Sequence, residues 1–306
     1  MKQNQKKRNL FLYVAILCII FSFYFLWHLV DYTLSASKER EMKEEFQSLY
    51  YASEKKETSL GATVPTDSVK KKEGKPSASQ AAFPEIPYLT PIPYPNNKHL
   101  YISSRFQTLR KQNKDIIAWI SLKPDIDYAV VQRDNTYYLT RDYRGRSNDN
   151  GALFLDETID LFTRPYTLVI YGHNMRTGAM FGNLRKYKQL SHYKQYSFLS
   201  FDTIYEDGTF VIFAAADISS LPRSNHYINL ASLSTCTIQE RQDTINEIRR
   251  YSFFANQIDV QAEDQLLFLV TCTGKDEERL VIAARRIREN ETRESIEKII
   301  KMSWTK

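Results

Sequence analysis

The sequence predicts a mainly β domain, a barrel or sandwich, set behind one apolar helix and a long stalk. Three observations lead there. From residue 118 onward, short apolar or alternating runs recur with turn signals between them, the pattern of an all-β domain. A single stretch, Leu10 to Val30, is apolar almost without interruption. The segment between the two is charged first and proline-rich afterwards.

The apolar stretch comes first in the chain. About 20 apolar residues cross a bilayer core, and Ser22 and His28 are its only clearly polar positions before Asp31 ends it. Tyr13, Tyr24, Trp27 and Tyr32 suit the interfaces, and Lys2, Lys6, Lys7 and Arg8 precede the span. Flanking lysines and arginines stay on the cytoplasmic side. The expectation is a basic tail over 1–9, a single-pass anchor over 10–30, and the rest of the chain outside the cell membrane. The other reading is a cleaved signal peptide with Ser35-Ala36-Ser37 as its cleavage site, but the apolar core is longer than a usual signal core.

Residues 31–100 read as an extracytoplasmic stalk. Lys38 to Tyr51 alternates charge with a few apolar residues and predicts a short exposed helix. Ala52 to Ala82 has too few large apolar residues to bury a core. Pro84, Pro87, Pro91, Pro93 and Pro95 make the end of the stalk stiff and extended. The folded domain is expected over 101–306, enough chain for one substantial core, so that a form beginning near Tyr101 should fold.

Within that domain the expected strands are Ala118–Leu122, Tyr128–Gln132, Ala152–Leu155, Thr167–Tyr171, Phe201–Tyr205, Thr209–Ala215, Leu266–Thr271 and Leu280–Ile287. Phe106, Leu109, Ile116 and Ile117 suggest a helix leading into the first strand, and helical spacing occurs at Phe181–Tyr187 and at Ile238–Phe254, where Ile238, Ile245, Ile248 and Phe253 share a face. Thr237 is placed to cap the last of these.

Composition excludes several function classes. The net charge of +6 suits an anionic surface outside the cell, and no basic-aromatic motif of a nucleic-acid reader is present. No cysteine and histidine spacing fits zinc, and no glycine-rich phosphate loop occurs.

The chemistry-bearing residues lie at strand ends. Cys272 closes the run Leu266–Thr271, Arg279 opens the next one, and His173 follows Leu168-Val169-Ile170-Tyr171-Gly172. A thiol, an imidazole and a guanidinium can attack an acyl carbon, move a proton and hold an oxyanion. A disulfide between Cys236 and Cys272 is the bland alternative in an exported chain. His99, His192 and His226 read as surface residues, and Arg285, Arg286 and Arg288 as surface charges. Leu233-Ser234-Thr235-Cys236 reads as a loop entering a helix.

Tyr171-Gly172-His173-Asn174, with Met180-Phe181-Gly182-Asn183-Leu184, resembles the histidine motif of class B sortases. Leu269-Val270-Thr271-Cys272, followed by Arg279-Leu280-Val281, resembles their cysteine signature and its later arginine. Asp115–Ile120, Ile126–Gln132 and Asn135 through Leu155 are similar as well. Phe268 departs from the signature, standing where its first threonine is expected, and Val270 stands where serine is frequent.

The resemblance implies an eight-stranded sortase-type β-barrel with N-terminal helices and a long helix between the last strands. It implies a membrane-anchored cysteine transpeptidase of a Gram-positive bacterium, without metal or cofactor. Such an enzyme cleaves a C-terminal sorting signal after threonine and passes the acyl group to an amine of a cell-wall precursor or a pilin lysine. It implies Cys272 as nucleophile, His173 as acid and base, Arg279 on the oxyanion, and Tyr171 and Thr271 along the substrate groove. Partners would be surface proteins or pilins bearing the signal. Two alternatives are a membrane-anchored cysteine protease with water as acceptor and a non-catalytic wall-associated scaffold.

Overall fold

A computed structural model describes residues 2–60, 89, 93–272 and 277–306. The expectations for 61–88 and 90–92 of the stalk, and for Thr273-Gly274-Lys275, lie outside the described residues. The chain forms two compact units, Met1–Ser48 and Leu49–Lys306. The first belongs to helix α1 (Lys2–Leu60), which carries an apolar window at Leu12–Asp31 long enough to cross a membrane.

The second unit is an eight-stranded mixed barrel. Its strands are β1 (Ile116–Leu122), β2 (Ile126–Val131), β3 (Leu153–Leu155), β4 (Thr167–Tyr171), β5 (Phe198–Thr203), β6 (Thr209–Ser219), β8 (Leu266–Cys272) and β9 (Glu278–Arg286), closed in the order β1-β2-β3-β4-β8-β9-β6-β5. The short β7 (Phe254–Ala255) pairs with β10 (Trp304–Thr305) apart from the barrel. Around it lie the helices α2 (Ser104–Gln112), α3 (Leu190–Gln195), α4 (Ile238–Tyr251) and α5 (Arg293–Lys301).

Strand β8 lies between β4, which it meets in parallel, and β9, which it meets antiparallel. Such a strand has no solvent face, so it reads as an unbroken apolar run, and Leu266 to Leu269 are fully buried. Antiparallel β6 and β9 pack small side chains face to face at Ala214↔Ala283 and flank an irregularity between Ile212 and Ala214. The extra residue there lets the long strand bend with the closing barrel.

Helix α4 connects β6 to the β8 side of the barrel. Thr237 and Glu240 form a reciprocal cap at its start, satisfying two of the amides a helix leaves open. Arg241, one turn in, is completely buried. Its guanidinium donates to Leu233 O (2.7 Å), Tyr166 O (2.8 Å), Asp264 O (2.9 Å), Ala262 O (2.6 Å) and the Thr167 hydroxyl. Burial pushes its pKa down to about 10, a sign of how strongly the site is desolvated. The side chain ties the start of α4 to the start of β4.

Three expectations change. Arg285 is not a surface charge: it is 1% exposed, donates to both Glu291 oxygens (2.6 and 2.5 Å) and to Asp259 O (2.8 Å), and so needs its fork of donors inside the fold. Phe181–Tyr187 is helical as expected but tighter, a 3₁₀ segment over Gly182–Lys188. Tyr50 is not on an exposed helix. It is 2% exposed, stacks on Trp119 with ring centres 4.5 Å apart, and donates to Asp202 Oδ2 (2.7 Å). Tyr51 donates to Asp127 Oδ1 (2.9 Å). These two residues cover Trp119, which an eight-stranded barrel alone leaves open on its outer face.

Candidate active site

Three strand ends meet at one pole of the barrel. Antiparallel pairing sets Cys272, the last residue of β8, directly opposite Arg279 on β9. On the other flank, Thr167 pairs with Leu266 and Tyr171 with Val270. That offset of 99 equals the separation of His173 from Cys272. The Gly172 N–H still donates to Val270 O at 3.2 Å, so the alignment continues one residue past the strand, toward His173. Of Cys272 the structure describes the backbone.

Local sequence explains why His173 sits where it does. A Cβ on Gly172 would lie 2.4 Å from Leu153 Cδ2 and 2.8 Å from the Phe181 ring, so only glycine lets β4 press this close before the histidine. The chain then folds back: Phe181 N–H donates to His173 O (3.0 Å), and Asn174 bridges Met180. Gly182 abuts the Met175 carbonyl, 2.1 Å from where its Cβ would be.

The half-buried His173 ring places Nε2 2.7 Å from Leu139 O. A carbonyl only accepts, so this contact puts a proton on Nε2. Gly151, at φ +63° and 3.1 Å (at its missing Cβ) from His173 Cδ2, packs beside the same edge of the ring. A side chain there would strike both the backbone and the imidazole.

A cleft of about 350 Å³ opens at this pole, lined among others by Asn135, Leu139, Tyr171, His173, Thr271 and Arg279. The Arg279 Nη1 donates to Glu278 O (3.0 Å). Thr271 is 3% exposed and its hydroxyl has no hydrogen-bond partner among the described residues. Burial and the Asp156 carboxylate raise the Tyr171 hydroxyl pKa, while the Arg279 charge opposes the shift. A larger cavity of about 740 Å³ lies at the opposite pole, beside Pro165, Gln265 and Arg286; its arginines are paired internally, Arg164 and Arg286 with Glu206 and Arg288 with Asp264.

The second cysteine is elsewhere. Cys236 lies in the turn before α4, half-buried, its Sγ 3.7 Å from Leu233 O. Arg241 ties that turn to Thr167, at the start of β4. Six residues of strand, roughly 20 Å at about 3.3 Å each, separate this end from His173. Burial also raises the Cys236 pKa, disfavouring the thiolate that reactivity requires.

The sortase-domain family model matches residues 123–287. The chain belongs to the sortase family. Its homologues are of class B. Sortase B of Listeria monocytogenes is 29% identical over 196 residues, covering 61% of this chain and 75% of the relative. Sortase B of Staphylococcus aureus is 27% identical over 193 residues, covering 61% and 77%. A solved Staphylococcus aureus sortase B–substrate complex aligns with a TM-score of 0.55 and 27% identity over 62% of this chain and 88% of that one. Sortase B from Bacillus anthracis in complex with AAEK2 aligns at 0.56 and 27%, over 63% and 86%. This sortase is therefore a cysteine transpeptidase with an N-terminal apolar helix suited to a membrane anchor or a signal sequence.

Leu139, Gly151 and Asp156 carry no signal in the sequence. The first acts through a backbone carbonyl, the second through the absence of a side chain, and the third through partners 15 and 21 residues away.

Proposed function

We propose that Cys272, His173 and Arg279 carry out acyl transfer from a C-terminal sorting signal to an amine. The observation that supports this reading is the strand register, which pairs Cys272 with Arg279 on one side and, on the other, runs β8 beside β4, which ends two residues before His173. The Cys272 thiolate attacks the carbonyl carbon of the signal's threonine, and the carbonyl π electrons move to oxygen. The Arg279 fork, charged at any physiological pH, offers donors to that oxyanion. As the intermediate collapses to a thioester, the C–N bond breaks and His173 gives its proton to the leaving amine. The incoming amine then attacks the thioester, losing a proton to His173, and the Cys272 thiolate departs. With Nε2 engaged by Leu139 O, Nδ1 is the nitrogen free to exchange the transferred proton.

The substrate class under this reading is surface proteins or pilins bearing a sorting signal, and the acceptor is an amine of a wall precursor or a pilin lysine. The basic residues before the apolar window support an N-terminus in the cytoplasm and a barrel outside, where such substrates are delivered. The Staphylococcus aureus relative solved as a substrate complex supports a sorting-signal substrate here. Incubating the enzyme with a signal peptide, with and without triglycine, tests the assignment. An amide product that forms only with the amine is expected; hydrolysis alone would make water the acceptor and contradict transfer.

A further inference from the structure

Asp156 directly follows β3 and is 2% exposed. Both of its carboxylate oxygens are in use. Oδ1 accepts from the Thr158 amide (2.9 Å) and hydroxyl (2.5 Å). Oδ2 accepts from the Tyr171 hydroxyl and from Asn135 Nδ2, each at 3.1 Å. Its backbone is also held: its N–H donates to Val169 O (2.9 Å), and its carbonyl accepts from Gln132 Nε2 (2.9 Å). Asp156 does not line the cleft, yet Tyr171 and Asn135 both do, from separate elements.

This arrangement decides what the cleft offers a ligand. A tyrosine hydroxyl has one proton. Committed to Asp156, it leaves the Tyr171 oxygen with lone pairs alone. Asn135 is fixed as well, because its Oδ1 accepts from the Glu157 N–H (3.0 Å) while Nδ2 donates to Asp156. Flipping that amide would set donor against donor and oxygen against carboxylate.

We infer that Asp156 is a positioning residue of the transfer reaction, acting through Tyr171 and Asn135 to fix the hydrogen-bond polarity of the cleft. Tyr171 then accepts an N–H from the acyl donor, either a backbone amide or a carboxamide side chain, and disfavours a carboxylate at that place. The inference rests on the proposed use of this cleft for acyl transfer.

The test uses the full chain in detergent and triglycine as acceptor. The probe is a peptide library with the threonine at the cleaved bond fixed and the three preceding positions varied. In Asp156→Asn the new amide must turn an N–H toward donors. The expected result is an increase in KM for the best peptide of about three- to tenfold, the order of one ordinary hydrogen bond, with kcat changed less than about threefold. Tyr171→Phe, which keeps the ring, should reproduce the KM increase and flatten the preference at one varied position. In the Tyr171→Phe, Asn135→Ala background, Asp156→Asn should leave KM where it was while still lowering the melting temperature. An unchanged KM and profile in Tyr171→Phe would overturn the inference even if Asp156→Asn fails to fold. So would an Asp156→Asn penalty of equal size in both backgrounds. If the unaltered enzyme turns over no library member, the proposed function falls and this inference with it; turnover by the unaltered enzyme with an indifferent Tyr171→Phe overturns the inference alone.

Discussion

Replacing Tyr50 with alanine should destabilise the barrel unit substantially, although Tyr50 lies 66 residues before the first barrel strand. Its ring stacks on Trp119 at 4.5 Å and meets Phe106 edge-on at 5.8 Å. Trp119 is 1% and Tyr50 2% exposed, so the truncation opens a cavity rather than a solvent-filled groove. Aromatic-to-alanine changes in such settings cost about 3–5 kcal/mol. The hydroxyl adds a second contribution: it donates to Asp202 (2.7 Å) and accepts from Arg105 Nη1 (3.1 Å). Tyr50→Phe isolates that part, at roughly 1–3 kcal/mol for a buried group left without its partner. For a unit of this size about 1 kcal/mol moves the melting temperature by about 2–4 °C, so Tyr50→Ala should melt about 6–20 °C lower and Tyr50→Phe by a smaller, separable amount. Thermal unfolding followed by circular dichroism on the chain from Leu49 onward, with the chain from Tyr101 beside it, measures both. The shorter form should resemble Tyr50→Ala or be worse. A Tyr50→Ala protein within about 0.5 kcal/mol of the parent, inside the range of ordinary surface substitutions, would refute burial of Tyr50 in the core.

Arg279→Lys keeps the charge and loses the fork of donors; turnover should fall about 10²-fold or more, the scale of a lost oxyanion donor, and near-normal kinetics would remove that role. Arg285→Lys should leave turnover close to normal yet cost roughly 1–3 kcal/mol in denaturant unfolding, because the lysine cannot satisfy both Glu291 oxygens and Asp259 O; an unchanged midpoint would contradict the buried pairing. Protease added to intact protoplasts should remove the barrel unit, and protection of that unit would reverse the proposed orientation.

Much of the barrel is legible in the sequence because strand β8 and its neighbours β4 and β9 are buried on both faces and advertise themselves as apolar runs. Thr167–Tyr171 matches β4 residue for residue. Strand β5 is harder: it starts at Phe198, three residues before the expected run, because Leu199, Phe201 and Thr203 point inward and a threonine does not announce a core position. Arg285 misleads because a long charged side chain at a strand end looks solvated until its partner, Glu291 in the following turn, is placed beside it. Tyr50 misleads for a related reason. Its helix is charged and periodic, and Trp119 and Phe106, from elements far along the chain, give the tyrosine something to bury against. At the candidate site, His173, Cys272 and Arg279 stand out in the sequence by their positions at strand ends. Their alignment depends on a parallel register between strands nearly a hundred residues apart, which no local pattern encodes.

Two thiols, Cys236 and Cys272, compete for the role of nucleophile. Leu233-Ser234-Thr235-Cys236 imitates the cysteine signature, yet its turn is tied to the start of β4, whereas Cys272 ends β8 opposite Arg279. Trapping the acyl-enzyme with a thiol-reactive sorting-signal analogue and locating the adduct by peptide mass spectrometry decides between them. The adduct is expected on Cys272, absent in Cys272→Ala and retained in Cys236→Ala. An adduct on Cys236, or its loss in a properly folded Cys236→Ala protein, would contradict the assignment of Cys272 as the nucleophile.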